Sequence, residues 1–271
     1  RYKWMYCHIA DRNAGNGVFE DVTKKAGLKD NQPGSKSLFF DADHDGDLDL
    51  LELRAGHNIL FRNNADGTFT DNSEKAGVSG NKVTGRDAVF GDFNEDGIID
   101  FIIANESGQN GYYSNQREGV FKDVIGNSGI TISGTGQIET GDYNNDGFLD
   151  LFLVSAAGTD LFLYQNMNDG TFKNDVKAGE IFSSLKGVRV HDTKFLDFDN
   201  DGFLDLLIAG EPSQEGSRGI FLLRNNGNGR FTDVSNKLPE TARSGNQLCV
   251  FDYNDDGDLD LLIAGTNGGV T

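Results

Sequence analysis

The chain has 271 residues and a formal net charge of −19, with 43 acidic residues against 24 Lys and Arg. This length suits one large all-β domain or two ordinary domains. The negative charge and the lack of a Lys/Arg cluster argue against nucleic acid as a partner. No apolar run approaches the roughly 20 residues that span a bilayer, so we expect no membrane insertion.

Five acidic segments recur along the chain at steps of 51, 50, 55 and 55 residues. Each has the pattern D-x-[DN]-x-D-G-x-x-D and continues into an apolar strand. They are FFDADHDGDLDLLEL (39–53), FGDFNEDGIIDFIIA (90–104), TGDYNNDGFLDLFLV (140–154), LDFDNDGFLDLLIAG (196–210) and FDYNDDGDLDLLIAG (251–265). A fixed period of this length is typical of a repeat architecture.

A second marker, Gly-x-Phe, alternates with the acidic segments. Its phenylalanines are Phe19, Phe69, Phe121, Phe172 and Phe231, and an apolar strand with an Asn-rich turn precedes four of them. Each unit therefore has four predicted short strands. Four strands at a period near 50 residues are typical of a propeller blade, so the predicted fold is an all-β propeller of four-stranded blades in five repeat units.

The predicted repeat units cover about residues 24–71, 72–123, 124–174, 175–233 and 234–271. The chain begins with the back half of a unit and stops after the front half of another. We expect residues 1–23 to join 234–271 in a closing blade, which would make residues 1–271 a single propeller domain without an exposed sheet edge. The alternative is that the five units are part of a larger ring.

Each acidic loop is predicted to bind a metal through positions one, three, five, seven and nine, counted from its first aspartate. Alternate side chains of a curled loop point inward, glycine at position six reverses the chain, and position seven can offer its carbonyl. The predicted ligands are Asp41, Asp43, Asp45, Asp47 and Asp49 in loop 1; Asp92, Asn94, Asp96, Ile98 and Asp100 in loop 2; Asp142, Asn144, Asp146, Phe148 and Asp150 in loop 3; Asp197, Asp199, Asp201, Phe203 and Asp205 in loop 4; and Asp252, Asn254, Asp256, Asp258 and Asp260 in loop 5.

Calcium is the ion that these oxygen ligands fit best. Ca²⁺ takes about six to eight oxygens, Mg²⁺ demands a stricter octahedron, and Zn²⁺ prefers His and Cys. The loops hold 17 of the 43 acidic residues as predicted carboxylate ligands, which leaves 26 acids against 24 basic residues elsewhere. We therefore expect about five Ca²⁺ ions, one in each repeat. Residues 41–52 also match an EF-hand loop ending at Glu52, but the flanks are β-like, and Glu52 is expected at most in the outer shell of the site.

The combined pattern resembles a known family. Residues 90–104 resemble the FG-GAP repeat of integrin α-subunit propellers, and DFDNDGFLDLLIAG followed by RNNGNGRFTDVS is similar to the related VCBS-type repeat. The resemblance implies an integrin-like propeller with Ca²⁺ between the first two strands of each blade. Family rings have about seven blades. The Gly-Ala-Pro half of the FG-GAP motif is missing throughout, and residues 209–212 are the segment most similar to it.

Catalysis is not expected. The histidines His8, His44, His57 and His191 are isolated, and the sequence has no nucleophile elbow, phosphate loop or acid–base pair outside the loops. The predicted metal sites are also expected to be saturated with protein oxygens, which leaves no open position for chemistry. Cys7 and Cys249 are predicted on strands too far apart for a disulfide, and we expect buried thiols.

The favoured function is an extracellular calcium-binding module, secreted or at the cell surface, for recognition, adhesion or scaffolding. Its protein or glycan ligand is expected on one rim, within residues 74–86, 127–137, 183–191 and 211–218, where Arg86, Arg189, His191 and Arg218 are candidates. Two alternatives stay open. One is a lectin or the propeller of a carbohydrate-processing enzyme, and the other is a structural part of a longer chain or larger assembly.

Overall fold

The structure is a computed structural model that describes residues 10–15, 17–28, 34–79, 83–214 and 216–265. These residues form twenty β-strands and three short 3-10 helices. The chain divides into two compact units, one made of Arg1–Asp92 and Asp96–Asn127 and the other of Phe93–Glu95 and Ser128–Thr271. Within the part of the chain that the structure describes, no helix is long and apolar enough to cross a membrane.

The first unit contains ten strands. They are β1 (Asp11–Asn13), β2 (Phe19–Asp21), β3 (Gly34–Phe40), β4 (Asp49–Arg54), β5 (Ile59–Asn63), β6 (Phe69–Asp71), β7 (Gly85–Gly91), β8 (Asp100–Asn105), β9 (Gly111–Asn115) and β10 (Phe121–Asp123). Strands β3 to β6 and β7 to β10 form two four-stranded antiparallel sheets in chain order, and β1 pairs with β2. A short 3-10 helix, Ile125–Asn127, follows β10.

The second unit repeats this arrangement. Its strands are β11 (Thr135–Gly141), β12 (Asp150–Ser155), β13 (Leu161–Asn166), β14 (Phe172–Asn174), β15 (Val188–Leu196), β16 (Asp205–Pro212), β17 (Ile220–Asn225), β18 (Phe231–Asp233), β19 (Gln247–Phe251) and β20 (Asp260–Ala264). Strands β11 to β14 and β15 to β18 form four-stranded sheets, and β19 pairs with β20. The all-β fold and the four-strand repeat predicted from the sequence are therefore present.

The strand that follows the acidic loop is buried along most of its length in each four-stranded sheet. Strands β4 and β8 are buried at every residue, because their apolar runs are covered on both faces. In the first unit, Leu51 and Leu53 of β4 pack in one core with Phe101 and Ile103 of β8. The second unit has an equivalent core around β12 and β16. In the four complete repeats, each acidic loop thus leads into a buried strand, which fixes the position of the loop's last aspartate.

The structure bears on two expectations about the ends of the chain. No closed ring is found among the described residues: β1–β2 and β19–β20 are separate two-stranded sheets. Residues 1–9, including Cys7 and His8, lie outside the described residues, as do residues 266–271. The expectation of a buried thiol is wrong for Cys249, which is exposed on β19. The described part of that sheet has only two strands, so little covers the side chain.

The 3-10 helices were not anticipated from the sequence. Besides Ile125–Asn127, they are Ala178–Leu185 and Ser235–Lys237, each following the fourth strand of a sheet. Phe182 and Leu185 are buried in the core of the second unit. Eight residues or fewer are too short to show a helical stripe in the sequence, so the packing of these apolar side chains decides the local conformation.

Candidate metal centres

The acidic loops connect the first and second strands of successive sheets. In each loop, glycine at position six has a positive φ, between 83° and 93° for Gly46, Gly97, Gly147, Gly202 and Gly257. Position four is also left-handed in every loop, although it is never glycine: φ is 55° to 59° for His44, Glu95, Asn145, Asn200 and Asp255. Only glycine adopts this region without cost. The position-four feature was not anticipated, but its His, Glu, Asn and Asp residues are polar and exposed.

The first aspartate of each loop closes the turn. One of its carboxylate oxygens accepts a hydrogen bond from the position-six amide, at 3.1 Å between Asp41 and Gly46 and at 2.9 Å between Asp197 and Gly202. Loops 2, 3 and 5 have the same bond at 2.8 to 2.9 Å. The five loops therefore share one backbone path, even though Phe93–Glu95 of loop 2 belongs to the second unit.

The last aspartate, at position nine, is buried in each complete repeat. Asp49, Asp100, Asp150 and Asp205 are between 0% and 2% exposed. In each case Oδ1 accepts a bond of 2.7 to 2.8 Å from the backbone amide of the asparagine that ends the third strand. In loops 1 and 4, Oδ2 also accepts a bond from the amide at position two, at 3.1 and 3.0 Å. The carboxylate is therefore fixed before any ligand binds.

Burial raises the pKa of these position-nine carboxyl groups. The pKa rises to about 6 for Asp49, Asp100 and Asp205 and to about 7 for Asp150. Loss of solvation is the main cause, and the neighbouring loop aspartates raise the pKa further, while the backbone amide bonds oppose the shift. Such a site holds negative charge at an energetic cost that a bound cation would offset.

Loops 1 and 4 bring three carboxylates together. One oxygen from each of Asp41, Asp43 and Asp49 lies within 4.8 Å of the other two, and Asp197, Asp199 and Asp205 form the same cluster. These are positions one, three and nine. In loops 2, 3 and 5 position three is asparagine, so the corresponding groups contain fewer carboxylates.

Position five is not part of these clusters in loops 1 and 4. Asp45 Oδ1 accepts a bond from the Asp47 amide, and its Oδ2 accepts one from Arg62 Nη2 at 3.0 Å. In loop 4, Asp201 binds the Phe203 amide and Arg224 in the same way. The role of position five as a ligand, like that of the position-seven carbonyls, stays a prediction.

The residues present fit Ca²⁺. Oxygens bound to Ca²⁺ at about 2.3–2.6 Å lie at most about 5 Å from one another, and the carboxylate clusters meet this limit. Two buried oxygens of loop 1, Asp41 Oδ1 and Asp43 Oδ1, have no hydrogen-bond partner. Buried carboxylate oxygens without partners are rare, because each costs desolvation energy. An all-oxygen donor set with unpaired lone pairs is the chemistry that a hard cation requires.

Asparagine side chains connect successive repeats at the same place. The buried Asn225 donates from Nδ2 to Tyr143 O in loop 3 at 2.7 Å and to Leu204 O at 3.0 Å. Asn166 and Asn115 make the equivalent bonds to position two of the preceding loop. This connection between repeats was not anticipated from the sequence. The asparagine before each Gly-x-Phe marker was the signal that could have revealed it.

The EF-hand alternative is excluded for loop 1, because strands β3 and β4 flank it where an EF-hand has helices. Glu52 lies on β4 and is buried in an ion pair with Arg54, whose Nε donates to Glu52 Oε2 at 2.8 Å. Arg54 is itself 0% exposed. The structure thus gives Glu52 a partner within the sheet, which accounts for an acidic residue in an otherwise apolar strand.

Comparison with known families supports the assignment of the repeats. A profile of the FG-GAP-like repeat matches residues 41–103, 92–153, 142–208 and 197–263, each match running from one acidic loop through the next. The chain belongs to the FG-GAP-like repeat family. The matches begin at the first aspartates of loops 1 to 4 and end in the strand after the following loop, so the acidic loops are part of what defines these FG-GAP-like repeats.

Two solved structures are similar to this FG-GAP-like chain. The V. cholerae biofilm matrix protein Bap1 matches with a TM-score of 0.50 and 13% identity over 88% of this chain and 36% of its own. A Tc holotoxin pore of Photorhabdus luminescens matches with a TM-score of 0.47 and 17% identity over 97% of this chain and 12% of its own. This chain therefore spans only a minor part of either protein. A search of curated proteins gives no match.

The predicted rim residues lie in different surroundings. In the first unit, Arg86 forms an ion pair with Glu106 at 3.4 Å. In the second unit, His191 Nε2 lies 3.8 Å from Glu211, and Arg189 is exposed on β15. Arg218 Nη1 is buried and has no hydrogen-bond partner, and the same holds for His191 Nε2.

Arg218 lines a cavity of about 530 Å³ formed by the segments before β15 and after β16. Other lining residues are Lys186, Pro212, Ser213, Ser217 and Phe221. The Ser213 amide donates to Gly187 O at 2.6 Å and ties the two segments together. The structure therefore brings together two of the four predicted rim segments, 183–191 and 211–218.

Proposed function

We propose that this chain is an extracellular, non-catalytic β-propeller module that binds calcium and serves in adhesion, recognition or as a scaffold. The observation that carries the calcium proposal is the convergence of Asp41, Asp43 and Asp49 with two buried oxygens that lack partners. A bound ion would neutralise these carboxylates and link the loop to its sheet. Calcium near millimolar concentrations outside cells suits weak extracellular sites.

Support for a scaffold role comes from the repeats and from one relative. The described residues form a series of antiparallel sheets, and the chain shares its fold with a biofilm matrix protein. Because the chain covers 36% of that protein, a place within a longer chain or assembly is part of the proposal. The location outside the cell is proposed from the calcium chemistry.

Thermal unfolding with and without calcium tests the proposed metal binding. Ca²⁺ in about hundredfold excess over its Kd would stabilise the fold by about 2.7 kcal/mol per site. We expect a marked rise in Tm with 2 mM CaCl₂ (about the extracellular level) over the protein in EGTA, and a smaller rise with MgCl₂. An equal Tm in EGTA and CaCl₂ contradicts calcium binding.

The closed five-bladed ring, with residues 1–23 and 234–271 in one blade of a single domain, also belongs to the proposal. Removing residues 1–23 is expected to lower the Tm in calcium, because the last sheet would lose the strands that complete it. Removal without effect on the Tm favours the alternative, in which these repeats are part of a larger ring.

A second candidate function is glycan binding, which the cavity at Arg218 favours. An unpaired buried guanidinium nitrogen suits a carboxylate, and Phe221 offers an apolar face in the same cavity. A glycan array should then show binding to sugars with uronic acids, and Arg218→Gln should abolish it. Arg189→Gln removes an exposed arginine nearby and is the matched control. Absence of acidic-glycan signal for the wild type argues against this candidate.

A further inference from the structure

The acidic loops are of two kinds, which differ at position three. Loops 1 and 4 carry aspartate there, whereas loops 2 and 3 carry asparagine. The repeats with the extra carboxylate have an arginine immediately before the last residue of the third strand, Arg62 in β5 and Arg224 in β17. The other two repeats have uncharged residues at this place, Ser114 and Gln165. In these four repeats, the extra negative charge and the arginine occur together.

The two arginines contact their loops in the same way. Arg62 Nε lies 2.7 Å from Asp43 Oδ2, and its Nη2 lies 3.0 Å from Asp45 Oδ2. Arg224 makes the same two contacts in loop 4, at 2.7 Å each, to Asp199 and Asp201. The guanidinium therefore bridges positions three and five in both loops.

The arginine contact leaves the inner oxygen of position three available. Arg62 binds Oδ2 of Asp43, whereas Oδ1 of the same carboxylate is buried without a hydrogen-bond partner. That carboxylate also contributes an oxygen to the cluster with Asp41 and Asp49. One oxygen thus faces the arginine and the other can face a cation.

A neutral group takes the place of the arginine in loop 3. Gln165 Nε2 donates to Asp146 Oδ2, at position five, with a distance of 3.2 Å. A cation lies directly opposite Gln165 in the β13–β14 pair, at Lys173. Among the described residues, Lys173 forms no ion pair, so it does not replace the contact that arginine makes in loops 1 and 4.

We propose that Arg62 and Arg224 are built-in counter-ions that set the calcium affinity of loops 1 and 4 below the value that four carboxylates would give. This inference rests on the proposed calcium binding. Without metal, each arginine compensates one carboxylate and stabilises the loop. When a metal is bound, the positive charge of the arginine repels the nearby cation and so weakens its binding. Loops with asparagine at position three need no such compensation.

Half-exposed ion pairs often contribute little to stability, so the presence of these ion pairs alone does not support the proposal. Here one guanidinium contacts two carboxylates of the same loop, and the arrangement occurs twice with the same atoms. Ion pairs formed by chance on the surface would not occur only in the repeats that have aspartate at position three. The arginines act as positioning and charge-balancing residues and are not ligands.

The first test replaces both arginines. Arg62→Gln combined with Arg224→Gln should lower the calcium concentration at half-maximal Tm increase by about threefold to tenfold. The same variant should melt below the wild type in EGTA, since the loops lose their counter-ion. Arg62→Lys with Arg224→Lys keeps the charge and should stay within about twofold of the wild type. Lys173→Gln, which removes a cation that does not contact a loop, is the matched control and should have no effect.

The second test changes loop 3 so that it has aspartate at position three, as loops 1 and 4 do. Asn144→Asp adds the fourth carboxylate without an arginine and should tighten calcium binding by a similar factor. Adding Gln165→Arg to this variant should return the affinity to within about twofold of the wild type. Because no existing ion pair is removed, this pair of variants remains informative if the arginine variants fold poorly.

The outcomes separate the two proposals. If calcium does not shift the wild-type Tm, the proposed calcium binding fails. If calcium stabilises the wild type and the glutamine variants respond at the same or a higher calcium concentration, the counter-ion role is wrong. The counter-ion role is also wrong if adding Gln165→Arg does not reverse the increase in calcium affinity caused by Asn144→Asp.

Discussion

Loops 4 and 5 have nearly the same sequence pattern but different surroundings. In both, the position-six glycine amide binds the first aspartate, and the position-two amide binds the last one at 3.0 Å. Asp205 of loop 4 is fully buried and also accepts the Asn225 amide, whereas Asp260 of loop 5 is partly exposed. The local turn follows from the motif, but the fixed and desolvated carboxylate requires a third strand.

The largest difference in stability between loops 4 and 5 is expected when the last aspartate of each loop is replaced. Asp205→Ala leaves two buried amides without an acceptor and removes a predicted ligand, so it should cost on the order of 3 kcal/mol in calcium. Asp260→Ala should cost only about 1 kcal/mol, because the site is more exposed. Urea unfolding in 2 mM CaCl₂ (about the extracellular level) measures both. Equal losses would mean that the third strand does not decide the strength of the site.

The asparagine that ends the third strand is expected to have the next largest effect. Asn225→Ala removes the bonds to the buried Tyr143 carbonyl, the partly buried Leu204 carbonyl and the Gly227 amide, and it should cost about 2 kcal/mol. The neighbouring Asn226 is exposed and bonds only within its turn, so Asn226→Ala should change stability by less than about 0.5 kcal/mol. Urea unfolding of the two variants compares them directly. A similar loss in both would show that the bonds between repeats contribute little.

The pH dependence should separate a buried position-nine carboxyl from an exposed one. The pKa of Asp205 is raised to about 6 in the folded chain, from a usual value near 4. Folding therefore takes up protons at this group, so the contribution of Asp205 to stability in EGTA is largest at low pH and is lost as the pH rises through about 6. Calcium requires the ionised form, so its affinity should fall as the pH drops through the same range.

The measurement is the Tm in EGTA between pH 5 and 8 (the range on both sides of the raised pKa), together with calcium titrations at each pH. Asp205→Asn should flatten the profile by on the order of 1 kcal/mol, and Asp260→Asn should change it less. Stability in EGTA that rises from pH 5 to pH 8 in the wild type contradicts the burial argument.

The smallest loss of stability is expected from replacing the glycine at position six. This loss should be equal in loops 4 and 5. Gly202 and Gly257 have φ values of 85° and 90°, and an added Cβ would meet nothing within 4 Å of either residue. Alanine should therefore cost only the strain of the left-handed backbone, about 1 kcal/mol in each loop. The same urea measurement applies. A clearly larger cost for Gly202→Ala would mean that tertiary packing also constrains this glycine.

The sequence alone determined the features that depend on neighbouring residues. Glycine at position six and aspartate at position one define the turn, and an apolar run after position nine defines a buried strand, so the period revealed the four-strand repeat and the family. These interactions close within about ten residues, and each repeat presents them again.

Only the tertiary structure decided which predicted ligands meet and what surrounds them. Positions one, three and nine converge in loops 1 and 4, whereas position five turns to an arginine from the third strand. Asn225 reaches a loop 82 residues away, and the exposure of Cys249 depends on how many strands cover its sheet. Such contacts join residues distant in the chain, and burial, charge compensation and pKa depend on them. A local motif holds no information about the side chains that packing brings against it.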